Sequence, residues 1–307
     1  MSEDNNNTLR RNLNQNQISS LPSSIGHLTK LQSLFLSGNH LTVIPDIIGD
    51  LSELTVLVII NNQLSALPES IGNLTKLKDI WLEGNKLTAI PESIGSLTEL
   101  IKSDLENNQL SMLPASIGRL TKLQKLWVRG NKLTSLPDSI GSLKELTILE
   151  LRNNQLTSLP ASIGDLTKLQ GLWVMDNRLT AIPDAIGNLK ELEKLYLSRN
   201  QLSALPASIG NLTKLQELWL DGNNLGLLPD WIGNLKALIK VILNNNQLST
   251  LPASIGNLAK LQELWAQGNK LTAVPDSVGN LKELIKLFLD GNLVPADQLK
   301  ASIAASN

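Results

Sequence analysis

The run LQSLFLSGNHL, residues 31–41, places leucines at 31, 34, 36 and 41 with Phe35 between two of them. Alternation over Leu34, Phe35 and Leu36 is the two-residue period of a short strand, which turns the leucines inward and Phe35 outward. The phrase that follows has the form LPxSIGxL. There a proline fixes φ and removes a donor, and a glycine is expected to permit a turn that other residues resist. The predicted element is a short 3₁₀-like return segment whose isoleucine and leucine complete the core. One strand and one return make a coil.

This frame recurs without insertion or deletion. Its asparagine stands at Asn39, Asn62, Asn85, Asn108, Asn131, Asn154, Asn177, Asn200, Asn223, Asn246, Asn269 and Asn292, a period of 23 residues. Twelve of the 13 prolines occupy one slot, from Pro22 to Pro275, and twelve of the 20 glycines another, from Gly26 to Gly279. Such regularity predicts stacked coils whose strands pair in a parallel sheet. An asparagine amide carries two donors and an acceptor that can bridge backbone groups of adjacent turns. Left alone, each such buried group costs about 1–3 kcal/mol, so stacking satisfies them collectively.

The phrase LxxLPxSIGxLxxLxxLxLxxN resembles that of leucine-rich repeat proteins of the 23-residue class, over roughly Leu13 to Val294. It is similar to the Ras-group proteins of plants and animals, to scribble-type scaffolds and to bacterial arrays. The resemblance implies an α/β solenoid, a leucine-rich repeat horseshoe with a concave parallel β-sheet and short 3₁₀ or irregular outer segments. It also implies a non-enzymatic protein-interaction scaffold, with small GTPases, phosphatases or host signalling proteins among the partners of relatives. The expected organisation is a polar tail and partial capping coil over 1–30, twelve repeats over 31–292, and a capping helix over 293–307. In that last segment Leu299 and Ile303 are spaced to cover the final coil.

The outward slot between the second and third leucines reads Phe35, Val58, Trp81, Asp104, Trp127, Glu150, Trp173, Tyr196, Trp219, Ile242, Trp265 and Phe288. Five tryptophans fall in it at alternate coils. Strand spacing predicts a row of rings about 10 Å apart. Contiguous exposed aromatics mark interaction surfaces, and Trp and Arg are the residues that most often carry interface energy. The candidate partner-binding face therefore takes in Phe35, Trp81, Trp127, Trp173, Tyr196, Trp219, Trp265 and Phe288. Arg129, Arg152, Asp104 and Glu150 supply mixed charge around Trp127, together with Lys125 and Glu106, while Asp221, Glu217 and Glu263 make the later part more acidic. The competing reading is that the rings merely pack on their neighbours.

A second alternation, Lys30, Glu53, Lys76, Glu99, Lys122, Glu145, Lys168, Glu191, Lys214, sets opposite charges on adjacent coils and reads as register and solubility. The basic row Lys86, Lys132, Arg178 and Lys270 reads as a solvated ridge. Trp231, replacing the serine of PxSIG, reads as packing over its own turn. Ser103 and Ala266 stand where the frame wants a large apolar side chain.

Bulk properties narrow the function. With 27 basic and 28 acidic residues there is no electrostatic case for nucleic acid or an anionic membrane. Zero cysteines and two histidines, His27 and His40, argue against a metal site, and no phosphate-binding glycine phrase occurs, so no cofactor is expected. Carboxylates such as Asp104 and Glu150, on an open sheet, lack the water exclusion that catalysis needs, so the chain is read as no enzyme. With no apolar stretch of signal-peptide length at the start, the expected setting is cytoplasmic, which leaves a secreted effector open. A monomer that binds a protein or peptide, possible signalling proteins included, is the leading reading. The alternatives are polysaccharide binding by a tryptophan ladder and a self-associating array.

Overall fold

The computed structural model describes residues 9–295. These residues fall into two compact units that divide between Gln155 and Leu156. The first holds β1 (Arg10–Asn12), β2 (Ser33–Phe35), β3 (Val56–Val58), β4 (Asp79–Trp81), β5 (Lys102–Asp104), β6 (Lys125–Trp127) and β7 (Ile148–Glu150). The second holds β8 (Gly171–Trp173), β9 (Lys194–Tyr196), β10 (Glu217–Trp219), β11 (Lys240–Ile242), β12 (Glu263–Trp265) and β13 (Lys286–Phe288). Within each unit consecutive strands pair in parallel, one repeat apart, as Leu34 opposite Leu57 and Leu218 opposite Val241 show.

The central residue of each strand from β2 to β12 is buried. Leu34, Leu57, Ile80 and Leu126 in the first unit, and Leu195, Leu218 and Leu264 in the second, are fully buried. The irregular Ser103 and Ala266 are buried at the same kind of inward slot. Each strand from β1 to β12 is followed by a five-residue 3₁₀ helix such as Glu69–Asn73. Its N-cap is the repeated proline, whose carbonyl accepts the N–H of Ile71 at 3.0 Å while its own nitrogen has no proton to leave unpaired. Among the described residues no helix is long and apolar enough to cross a membrane.

The asparagine ladder bridges coils as its donor count predicts. Asn131 donates to the carbonyls of Leu105 at 2.9 Å and Val128 at 3.0 Å, and accepts the N–H of Leu110 at 3.0 Å. Asn223 repeats this in the second unit, with Leu197 at 3.0 Å, Leu220 at 2.9 Å and the N–H of Leu202 at 3.0 Å.

The glycine of SIG plays a different part from the one expected. It is not in the left-handed region; a Cβ built on Gly49 would lie 2.7 Å from the carbonyl oxygen of Ser70 and 2.9 Å from its Cβ. Close approach of consecutive 3₁₀ segments, and not an unusual turn, therefore requires it. The left-handed residue is the one before the ladder asparagine: Gly84 at φ 69° and Gly130 at φ 68°, with Asn61 at 53° and Asn107 at 52° in the intervening coils.

Within the segment expected as a partial capping coil, β1 pairs with β2 in full register. Asn39 accepts the N–H groups of Asn16 at 2.9 Å and Ile18 at 3.0 Å, so this first coil is closed by the same device as the rest. The polar tail before residue 9 and the helix built on Leu299 and Ile303 lie outside the described residues.

Candidate binding face of the strands

The first and third residues of each strand face away from the core, and this puts the predicted site residues on one side of the ladder in each unit. The aromatic members are all half-buried, none fully exposed. They lean on one another, and for Trp81 and Trp127 the expectation of separate rings about 10 Å apart does not hold. In the first unit the indoles of Trp81 and Trp127 stack with centroids 5.6 Å apart and planes 27° apart, although a whole strand lies between them. The intervening residue is Asp104, paired with Trp81 on one side and Trp127 on the other. A short side chain there leaves room above it for the two rings to meet.

Asp104 is consequently 7% exposed and Glu150, on the far side of Trp127, 4%. The two carboxylates differ in how they are satisfied. Glu150 is held by Arg152, whose Nε lies 2.8 and 2.9 Å from its oxygens, and by a 2.7 Å ion pair from the same guanidinium. Asp104 accepts one backbone N–H, from Glu106, at 2.9 Å. Burial pushes its carboxyl up to about 6, against that hydrogen bond. Two residues on, the side chain of Glu106 is half-buried and makes no hydrogen bond or ion pair with the described residues. Burial, then the charges of Asp104, Glu150 and Glu83, push it up to about 7, with Arg129 opposing. The Arg129 side chain is exposed. At the start of the unit, the guanidinium of Arg10 covers the ring of Phe35 at 4.4 Å.

The second unit builds a longer aromatic cluster. Trp173 meets Tyr196 edge-on at 5.8 Å, and Tyr196 stacks on Trp219 at 4.4 Å. The Trp173 ring folds back over Gly171, where a Cβ would collide with it. The Tyr196 hydroxyl donates to Glu217 at 2.7 Å. Asp221 accepts a short hydrogen bond from the hydroxyl of Ser198, a fully buried residue. Trp265 packs on Phe288 at 4.4 Å and donates its indole N–H to Glu263 at 3.1 Å.

Lys240, not among the predicted site residues, sits with its ammonium 5.3 Å from the ring of Trp219 and 5.6 Å from that of Trp265, ion-paired to Glu263 at 3.0 Å. Hydrogen bonds from Lys286 and Lys240 lower Glu263 to about 2. The sequence carried the signal in a lysine opening the strand between two tryptophan-bearing strands.

Lys76–Glu53 and Lys122–Glu99 at 2.6 Å, and Lys214–Glu191 at 2.5 Å, realise the charge alternation with side chains about half-exposed, so each contributes little. Lys86 and Lys132 donate to Gln63 at 3.2 Å and Gln109 at 3.3 Å along an exposed ridge. Trp231 lies half-buried in the 3₁₀ helix Asp230–Asn234, its Cβ close against Gly210. Among the described residues no group of acidic, histidine or cysteine side chains could hold a metal ion.

The family model for a leucine-rich repeat region matches residues 8–100, 126–194 and 172–243. This chain belongs to the leucine-rich repeat family. A leucine-rich repeat protein of Leptospira interrogans is 31% identical over 98% of this chain and 95% of its own, with a TM-score of 0.67. An internalin of Listeria monocytogenes is 25% identical over 97% of this chain and 85% of its own, with a TM-score of 0.83. A plant peptide hormone receptor, solved in complex with RGF2, is 29% identical over 89% of this chain and 57% of its own, with a TM-score of 0.63. No curated protein sequence matches. Members of this family are in general non-enzymatic interaction modules.

Proposed function

We propose that the chain is a non-enzymatic binding module that takes a protein or peptide on the open face of its strands. The observation that carries the reading is the outward row of half-buried aromatic side chains, interleaved with ionised groups, on a scaffold of short hydrogen-bonded strands. A rigid face loses little conformational entropy on binding, and half-exposed Trp and Tyr are the side chains best suited to anchor a partner. The peptide hormone receptor supplies a relative of the same fold that binds a peptide. The polysaccharide alternative needed flat, separated rings. Stacks with centroids at 5.6 and 4.4 Å offer edges and one outer face instead.

Selection of a random peptide display library against the chain tests this. Selected peptides are expected to lose at least tenfold in affinity for Trp127→Ala or Trp219→Ala chains of matched melting temperature. Peptides that bind both variants as well as the wild type would move the site off the strand face. A positive glycan array abolished by Trp173→Ala would replace the reading with carbohydrate binding, and concentration-dependent mass in light scattering with self-association.

A further inference from the structure

Both units place carboxylates beside stacked aromatic rings, yet only in the second does one lysine lie against two of those rings. In the second unit, Lys240 lies against Trp219 and Trp265 and pairs with Glu263. An ammonium between indole faces and a carboxylate gains from the ring quadrupole and the opposite charge together. In the first unit the equivalent neighbourhood has two rings, Trp81 and Trp127, and two carboxylates, Asp104 at the end of the strand between them and Glu106 two residues beyond it. Its cations are engaged elsewhere or stand off. Lys102, in the slot that Lys240 fills in the second unit, is 3.8 Å from Asp79, Arg152 is bound to Glu150, Lys125 is 5.9 Å from the ring of Trp127, and the exposed Arg129 acts on Glu106 through its charge without an ion pair among the described residues.

An ionised Asp104 that is 7% exposed, with one hydrogen bond, and a neighbouring Glu106 without any are costly unless an opposite charge arrives. Asp104 and Glu106 share a strand face, two residues apart. A planar guanidinium laid beside the stacked rings would pair with the half-buried Glu106, feel the charge of Asp104 beneath the rings and rest against the indole edges, as a point-like ammonium would less fully.

Resting on the reading of the strand face as a protein-binding surface, we infer that the β4–β6 region of the first unit is a receptor for a basic side chain, arginine above all, presented by a protein or peptide partner. Glu106 pairs with it, Asp104 beneath the rings adds its charge, and the edges of Trp81 and Trp127 line the site. The partner supplies in the first unit what Lys240 supplies within the second.

The test uses two readouts on the full chain. A random peptide library is selected in parallel against wild type and an Asp104→Asn, Glu106→Gln double variant of matched fold by circular dichroism. Wild type should enrich arginine, and its peptides should lose at least tenfold in affinity for the double variant while keeping it for Lys214→Ala, in the exposed charge alternation off that face. Peptides that need Trp127 but show no basic enrichment, or bind the double variant equally, overturn this inference and leave the binding face standing. Peptides indifferent to every strand-face variant, or no selected peptide, count against both.

The second readout needs no partner. Glu106→Lys places a cation beside Asp104 and should raise the melting temperature by a few degrees over wild type, and a fall would overturn the inference. Stabilisation of the wild type by millimolar calcium, lost in the double variant, would assign the carboxylates to a metal ion and overturn it too.

Discussion

Replacing Asn131 by Ala should destabilise the first unit by about 2–4 kcal/mol. The magnitude follows from what each partner loses. The carbonyl of Leu105 keeps a hydrogen bond from Asn108 at 3.1 Å, and that of Val128 keeps one from Asn154 at 2.9 Å. Both acceptors therefore survive. The N–H of Leu110, in contrast, has Asn131 as its acceptor at 3.0 Å and is buried with it, so it is orphaned. An orphaned buried donor costs about 1–3 kcal/mol, and the void left by the amide adds about 1 kcal/mol. Asn131→Asp sharpens the test. It keeps an acceptor for Leu110 but turns a carboxylate toward two carbonyls, which raises its folded-state pKa. Its stability is then greatest below the unfolded-state value near about 4 and is lost as pH rises through the folded value. Urea unfolding followed by circular dichroism at pH 5 and pH 8 reads both effects, with exposed Lys132→Ala as control. A loss under about 0.5 kcal/mol for Asn131→Ala, within the range of ordinary surface substitutions, would refute the ladder argument.

Other consequences follow from the same geometry. The hydroxyl of Ser139 is buried without a partner, and Ala185 fills the same slot one unit later, so Ser139→Ala should leave stability unchanged or raise it; a clear loss in melting temperature would reveal a hydrogen bond unaccounted for. Asp104 at about 6 and Glu106 at about 7 are raised by burial, so their contribution to stability is present below about pH 4 and lost as pH rises through those values. Wild type should thus lose melting temperature from pH 5 to pH 8 relative to the Asp104→Asn, Glu106→Gln chain, and the opposite slope would contradict the burial argument. Arg199 holds φ at 51° in a slot otherwise given mostly to Gly, Asn or Asp. Relief of that strain predicts a gain of about 1 kcal/mol for Arg199→Gly in the same urea assay, less whatever the 3.3 Å contact of Arg199 with Asp176 contributes.

The backbone architecture was legible because a fixed repeat leaves one way to bury Leu34, Leu57 and their equivalents, and one use for a buried asparagine between coils. The site residues were legible as positions but not as contacts. Which way an indole leans depends on the size of its neighbours on adjacent strands, so the meeting of Trp81 and Trp127 above Asp104 follows from the smallness of Asp104. The burial of Asp104 and Glu150 ran against an outward slot for the same reason: the rings beside them exclude water. The role of the SIG glycine was missed because composition marks glycine as a turn former. The steric reason lies in the next coil, at Ser70 for Gly49.

Hydroxyl-radical footprinting of the six tryptophans, with and without a saturating selected peptide, tests the central claim most directly. Trp231 lies on a 3₁₀ return segment, away from the strand face, and serves as an internal reference. The account predicts reduced oxidation at Trp81 and Trp127, at Trp219 and Trp265, or at all four, with Trp231 unchanged. Protection of Trp231 alone, or equal oxidation of every tryptophan in the bound and free states, would contradict it.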